Sequence, residues 1–121
     1  METPVTILCY TKCTTCQKAE KWLKDNGVDY VFRPIKEENP TAAELSEWIA
    51  KSGFPVNKFF NTSGLLYKEQ NVKEKVKTLS KKELIDILAS NGMMVKRPIL
   101  LADDMILVGF KEAEWSEKLL K

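Results

Sequence analysis

Apolar and polar positions change rhythm several times along this chain. Residues 5–10, Val5-Thr6-Ile7-Leu8-Cys9-Tyr10, form a mainly apolar run whose length predicts a buried strand. From about Thr14 the spacing turns helical. Cys16, Ala19, Trp22 and Leu23 share one face, and Asn26-Gly27 supplies a stop. Asp29-Tyr30-Val31-Phe32 predicts a second strand, ended by Arg33-Pro34. Strand, helix and strand with short joints make a βαβ unit, in which the strands run parallel.

The middle of the chain carries helical signals. Thr41 with Glu44 reads as a capping box ahead of Leu45, Trp48 and Ile49, and that helix stops near Ser52-Gly53. Phe59-Phe60 precedes the turn signal Asn61-Thr62-Ser63-Gly64. Ser80 with Glu83 reads as a second capping box ahead of Leu84, Ile85, Ile87 and Leu88, and Asn91-Gly92 reads as its stop. Alternation then returns. Ile99-Leu100-Leu101 and Met105-Ile106-Leu107-Val108 flank Ala102-Asp103-Asp104 as a hairpin, and residues 111–121 predict a last helix with Trp115 and Leu119 inward. The order is βαβ, a helical insertion over about residues 40–92, then ββα. This is the thioredoxin-like order, an α/β fold with flanking helices on a four-stranded mixed sheet. One domain over residues 1–121 is expected.

Composition narrows the function. A net charge of +2, with lysines interleaved with acids as in Lys73-Glu74-Lys75, gives no push toward direct nucleic-acid binding. No apolar run approaches a membrane span, and Met1-Glu2-Thr3-Pro4 does not read as a signal peptide, so a cytoplasmic protein is expected. There is no histidine, which excludes a cysteine–histidine or serine–histidine catalytic pair. Three cysteines cannot supply a four-cysteine zinc site, and no metal or bound cofactor is expected.

The chemistry converges on Cys13-Thr14-Thr15-Cys16, where the first strand hands over to the helix. Unclaimed N–H groups and the dipole at a helix start favour negative charge, so a thiol there is biased toward the reactive thiolate. C-x-x-C beside a βαβ pattern reads as a redox pair, with Cys13 as nucleophile and Cys16 as resolving thiol. Cys16 also fits the plainer role of a small buried apolar residue. Cys9, inside the strand, reads as a buried inert thiol. Lys12 adds a positive charge beside Cys13. Arg97, one of two arginines, stands before Pro98 at a strand start, which is where a thioredoxin-like fold places its cis-proline. Arg97 would there stabilise a thiolate and bind an oxyanion; an ordinary surface arginine is the other reading.

Together these residues resemble the ArsC/Spx family, the glutaredoxin-coupled arsenate reductases and their regulator relatives. The resemblance rests on Tyr10-Thr11-Lys12-Cys13-Thr14-Thr15-Cys16-Gln17-Lys18-Ala19, Phe60-Asn61-Thr62-Ser63-Gly64, Tyr67-Lys68-Glu69, Lys96-Arg97-Pro98-Ile99 and Val108-Gly109-Phe110-Lys111. It implies cis-Pro98, nucleophile Cys13, a redox-active Cys13–Cys16 disulfide and anion-binding Arg97. Of the reductases' three arginines Arg97 matches one. The others fall near Asn61 and near Phe110-Lys111, which marks Lys12, Asn61 and Lys111 as substrate-binding candidates. The implied substrate is a small oxyanion such as arsenate, or a disulfide. The implied reductant is an external thiol such as glutathione, with glutaredoxin or thioredoxin as partner. The alternative it carries is an Spx-like redox-sensing regulator that binds RNA polymerase.

Overall fold

The computed structural model describes residues 4–103 and 105–120. The N-terminal Met1-Glu2-Thr3, Asp104 of the expected hairpin turn and Lys121 of the last helix lie outside them. In chain order the elements are β1 (Val5–Cys9), α1 (Thr14–Asp25), β2 (Tyr30–Pro34), α2 (Ala42–Ser52), a 3-10 turn (Val56–Phe59), α3 (Leu65–Glu69), α4 (Val72–Thr78), α5 (Lys81–Ser90), a second 3-10 turn (Gly92–Met94), β3 (Ile99–Leu101), β4 (Ile106–Val108) and α6 (Glu112–Leu119). The chain forms two compact units, one of Met1–Pro34 with Arg97–Lys121 and one of Ile35–Lys96.

The first unit holds the mixed sheet, in the order β2-β1-β3-β4. β1 pairs parallel with β2 and antiparallel with β3, and β3 pairs antiparallel with β4. The βαβ and ββα halves therefore meet at β1 and β3, as the element order predicts. Strand β2 runs through Arg33 and Pro34 instead of stopping before them, and Pro34 pairs with Cys9. A proline is tolerated there because β2 is an edge strand, where one missing N–H need not break a ladder. Alternation sets the packing. Val5, Ile7 and Cys9 lie on the face that meets Cys16, Ala19, Trp22 and Leu23 of α1, together with Leu100, Leu107 and Trp115. Trp115 is fully buried and stacks edge-on against Phe110 at 4.8 Å and Trp22 at 6.0 Å. Its indole N–H donates to the Gly109 carbonyl at 3.2 Å, so the large ring is buried with its polar atom satisfied.

The second unit is the helical insertion. Both capping boxes form: the Thr41 and Ser80 hydroxyls accept the backbone N–H groups of Glu44 and Glu83, and the two glutamates accept in return. Gly53 ends α2 in the left-handed conformation at φ 74°. Gly92 does not play that part for α5. Asn91 caps the following 3-10 turn, its side chain accepting from the Met93 N–H at 2.8 Å. Gly92 is buried, and a Cβ there would collide with the Ile35 carbonyl. Close backbone approach, not chain reversal, is what requires glycine. The insertion is not purely helical either, because Phe60 and Val95 form an isolated antiparallel bridge.

Candidate functional site

The site begins with the sheet register. Parallel pairing with β2 and antiparallel pairing with β3 leave the C-terminal end of β1 beside the start of β3, where Leu8 faces Ile99. Ile99 in turn faces Val108, the last residue of β4. The turn after β1, the Arg97-Pro98 segment before β3 and the Gly109–Lys111 segment after β4 therefore emerge at one end of the sheet. The dithiol, Arg97 and Lys111 share that end.

Cys13 is the N-cap residue of α1, with extended backbone angles and no capping hydrogen bond from its side chain. Its N–H donates to the Tyr10 carbonyl at 3.0 Å and its carbonyl accepts from the Gln17 N–H at 3.0 Å. The Gln17 side-chain amide donates to the Thr11 carbonyl at 2.9 Å and ties the turn to the helix. Cys13 is half-buried, whereas Cys16 and Cys9 are fully buried. All three thiols are free. The Arg97-Pro98 peptide is cis. Pro98 is buried, and its carbonyl accepts from the Gly109 N–H at 2.8 Å, with Gly109 at φ 79°. Arg97 has a buried Nε, and its guanidinium lies 5.7 Å from the centre of the Tyr10 ring, a cation–π contact.

The thiol whose ionisation this arrangement favours is Cys16, whose pKa falls to about 7. The largest cause is a hydrogen bond with the Cys9 side chain. The Tyr10 backbone N–H, the Cys13 side chain and the Arg97 charge act in the same direction, and burial opposes them. Cys9 is pushed strongly the other way, by its hydrogen bond with Cys16, by burial and by the charges of Cys16 and Glu20.

The remaining candidates are placed differently. Lys12 is exposed in the turn beside Cys13, and Lys111 is exposed as the N-cap of α6. Asn61 lies in the insertion, where its N–H donates to the Met94 carbonyl at 2.8 Å and its side chain accepts from Ser63 Oγ at 3.4 Å. Its visible work is to hold the turn between the 3-10 turn and α3. Sequence reasoning passed over Tyr10, whose ring, N–H and carbonyl contact Arg97, Cys16 and Cys13 respectively. Cys9 is fully buried and its thiol is held protonated, as its place inside the strand predicts. Alternation along β1 is the signal that puts Cys9 on the Cys16 side of the sheet. Among the described residues no cluster of metal-ligating side chains occurs, and no helix is long and apolar enough to cross a membrane.

Comparison with known proteins agrees with this geometry. The ArsC family model matches residues 8–118, and the chain belongs to that family. A solved ArsC family related protein from Bacteroides fragilis superposes with a TM-score of 0.91 at 48% identity, over 95% of this chain and 97% of that one. The Bacillus subtilis protein YusI is 43% identical over 93% of this chain and 96% of its own length. The global transcriptional regulator Spx of Staphylococcus epidermidis is 29% identical over 91% of this chain and 82% of its own.

Proposed function

We propose that this ArsC-family chain is a thiol–disulfide oxidoreductase working through Cys13 and Cys16. One observation carries the reading: half-buried Cys13 opens helix α1 as a free thiol, one turn ahead of the buried free thiol of Cys16, at the end of the sheet where the cis Arg97-Pro98 segment emerges. Cys13 is the sulfur a substrate can reach. As it attacks one sulfur of an oxidised substrate disulfide, its proton passes to the Cys16 thiolate. The Cys13–substrate disulfide forms and the other substrate thiol leaves. Cys16, deprotonated again, then attacks Cys13 Sγ, releasing the second substrate thiol and closing the Cys13–Cys16 disulfide. Two external thiols, glutathione or a glutaredoxin, return the pair to the dithiol. Arg97 offers a fixed, planar cation to an anionic substrate group. Arsenate carries more charge than one arginine neutralises, so a disulfide suits the site better.

The test is turnover with glutathione-type reductant, using a model disulfide and arsenate in parallel, for wild type, Cys13→Ser and Cys16→Ser. Activity on the disulfide that Cys13→Ser abolishes supports the reading, and absence of turnover on both substrates overturns it. Arg97→Ala should raise the Cys16 midpoint by up to about one unit, since a nearby cation favours the thiolate.

The match to Spx favours a second reading, a redox-sensing regulator in which the same pair switches without turnover. Reduction-sensitive capture of RNA polymerase subunits by the purified chain, with no turnover, would support it.

A further inference from the structure

Strand β1 ends at Cys9, and the next residue, Tyr10, starts the turn that delivers Cys13. The antiparallel register of β1 with β3 pairs Thr6 with Leu101, Ile7 with Leu100 and Leu8 with Ile99. Carried past its last pair, the same register sets Tyr10 opposite Arg97. The two side chains do meet: the guanidinium carbon lies 5.7 Å from the centre of the Tyr10 ring. The main chain of Tyr10 is engaged as well, its carbonyl accepting the Cys13 N–H at 3.0 Å. One half-buried residue thus touches both the candidate nucleophile and the candidate anion-binding cation.

We propose that Tyr10 is a positioning residue for Arg97: its ring seats the guanidinium at the turn that carries Cys13, which fits the site to a substrate bearing negative charge beside its reacting atom. An arginine side chain has several rotatable bonds, and a charge that wanders serves an anion poorly. A carboxylate would hold the guanidinium still but would cancel its charge. An aromatic ring attracts the cation through its quadrupole and leaves the full charge for an incoming anion. What Tyr10 offers Arg97 is this ring, not its hydroxyl. The ring is firmly based, because it follows directly on β1, which is paired on both sides. The Arg97 charge is felt at Cys16 too, where it favours the thiolate.

The proposal rests on the reading of Cys13 as nucleophile and Arg97 as its anion partner, but its test needs no turnover. The reduced chain is alkylated briefly with anionic iodoacetate and, in parallel, with neutral iodoacetamide. Modification of Cys13 is quantified by fragmentation mass spectrometry. Both reagents meet the same thiolate, so their rate ratio cancels its ionisation and reads the positive charge near it. Arg97→Ala should lower the iodoacetate-to-iodoacetamide ratio about fivefold, as for one unit charge a few ångströms away in a solvated site. Tyr10→Leu should lower it about threefold, since the cation stays but loses its seat, whereas Tyr10→Phe keeps the ring and the wild-type ratio. On the Arg97→Ala background Tyr10→Leu should change nothing further. A wild-type ratio in folded Tyr10→Leu, or an equal fall with and without Arg97, overturns the proposal. So does an Arg97→Ala ratio equal to wild type. If Tyr10→Leu does not fold, pentafluorophenylalanine at position 10 takes its place, because it keeps the ring's shape and inverts the quadrupole. The same fall is expected there, and a wild-type ratio overturns the proposal. Ratios that fall as stated in a chain without turnover leave Tyr10 in its role and remove the oxidoreductase reading instead.

Discussion

The starts of α2 and α5 in the insertion and of α1 in the sheet-bearing unit follow different plans. In the insertion, α2 and α5 each begin with a closed exchange of hydrogen bonds, Thr41 with Glu44 and Ser80 with Glu83, all between 3.0 and 3.1 Å. In the sheet-bearing unit, α1 begins at Cys13, whose side chain caps nothing. Serine, threonine, aspartate or asparagine would satisfy an N–H there. Helix α1 is secured from below instead, through Cys16, Ala19, Trp22 and Leu23, which sit on the sheet. The insertion's two longest helices, α2 and α5, are fastened at their starts. Helix α1 is fastened along its buried face, and its start is left to a sulfur.

If that contrast is correct, the largest loss in the sheet-bearing unit follows from its core. Trp115→Ala removes a fully buried ring that braces Trp22 and Phe110, and should cost about 3–5 kcal/mol in denaturant unfolding. A loss under about 1 kcal/mol would mean that α1 is held by something other than this face. In the insertion the counterpart is Gly92→Ala, which drives a methyl group into the Ile35 carbonyl. About 2–4 kcal/mol is expected by the same measurement, because backbone has to move.

A third expectation separates the units by pH, since all three cysteines lie in the sheet-bearing one. Cys16 titrates near 7 when folded against 9.0 as an ordinary thiol, so between these values the unfolded chain binds the extra proton. Stability of the reduced protein should therefore rise from pH 7 to pH 9, by on the order of 2 kcal/mol, and the gain disappears as pH falls through 7. Cys9 has the opposite sign. Its raised value stabilises below 9.0 and begins to cost stability above it. A maximum near pH 9 in the reduced protein, absent from the Cys13–Cys16 disulfide form, is the expected profile in urea titrations. The smallest effects concern the caps themselves. Thr41→Ala and Ser80→Ala should each lose about 1 kcal/mol, whereas Cys13→Ser should gain a few tenths by supplying the missing cap. A loss of stability in folded, reduced Cys13→Ser would contradict the idea that this helix end is left open.

Much of this arrangement could be read from the chain. Local chemistry announces α1, both capping boxes and the hairpin strands, because a cap or a turn is decided by residues a few positions apart. Arg97 and Pro98 could be placed beside the dithiol only because the order of strands implied their pairing. What escaped depends on partners distant in sequence. Gly92 looks like a helix stop until Ile35 lies against it. Pro34 looks like a strand end until β2 proves to be an edge. The helix-start argument points to Cys13; the structure adds Cys16, whose lowered value rests chiefly on Cys9, Tyr10 and Cys13 in the stretch just before it, with Arg97 the one contributor distant in sequence.

The contact of Gly92 with Ile35 has a consequence for chain entropy. Between the end of β2 and the start of β3 the chain makes an excursion from Ile35 to Lys96, and an unstructured loop of that length would tax the pairing of strands on both sides of β1. The Ile35 carbonyl at one end of the excursion receives Gly92 near the other, and Asn39 reaches the Ala89 carbonyl at 2.9 Å a little further in. The excursion is thus closed on itself, and only the few residues from Gly92 to Arg97 remain to be spanned. Shortening the effective loop from about sixty residues to about six saves roughly 2 kcal/mol of closure entropy. To the sheet, a folded insertion clasped in this way counts as a short turn.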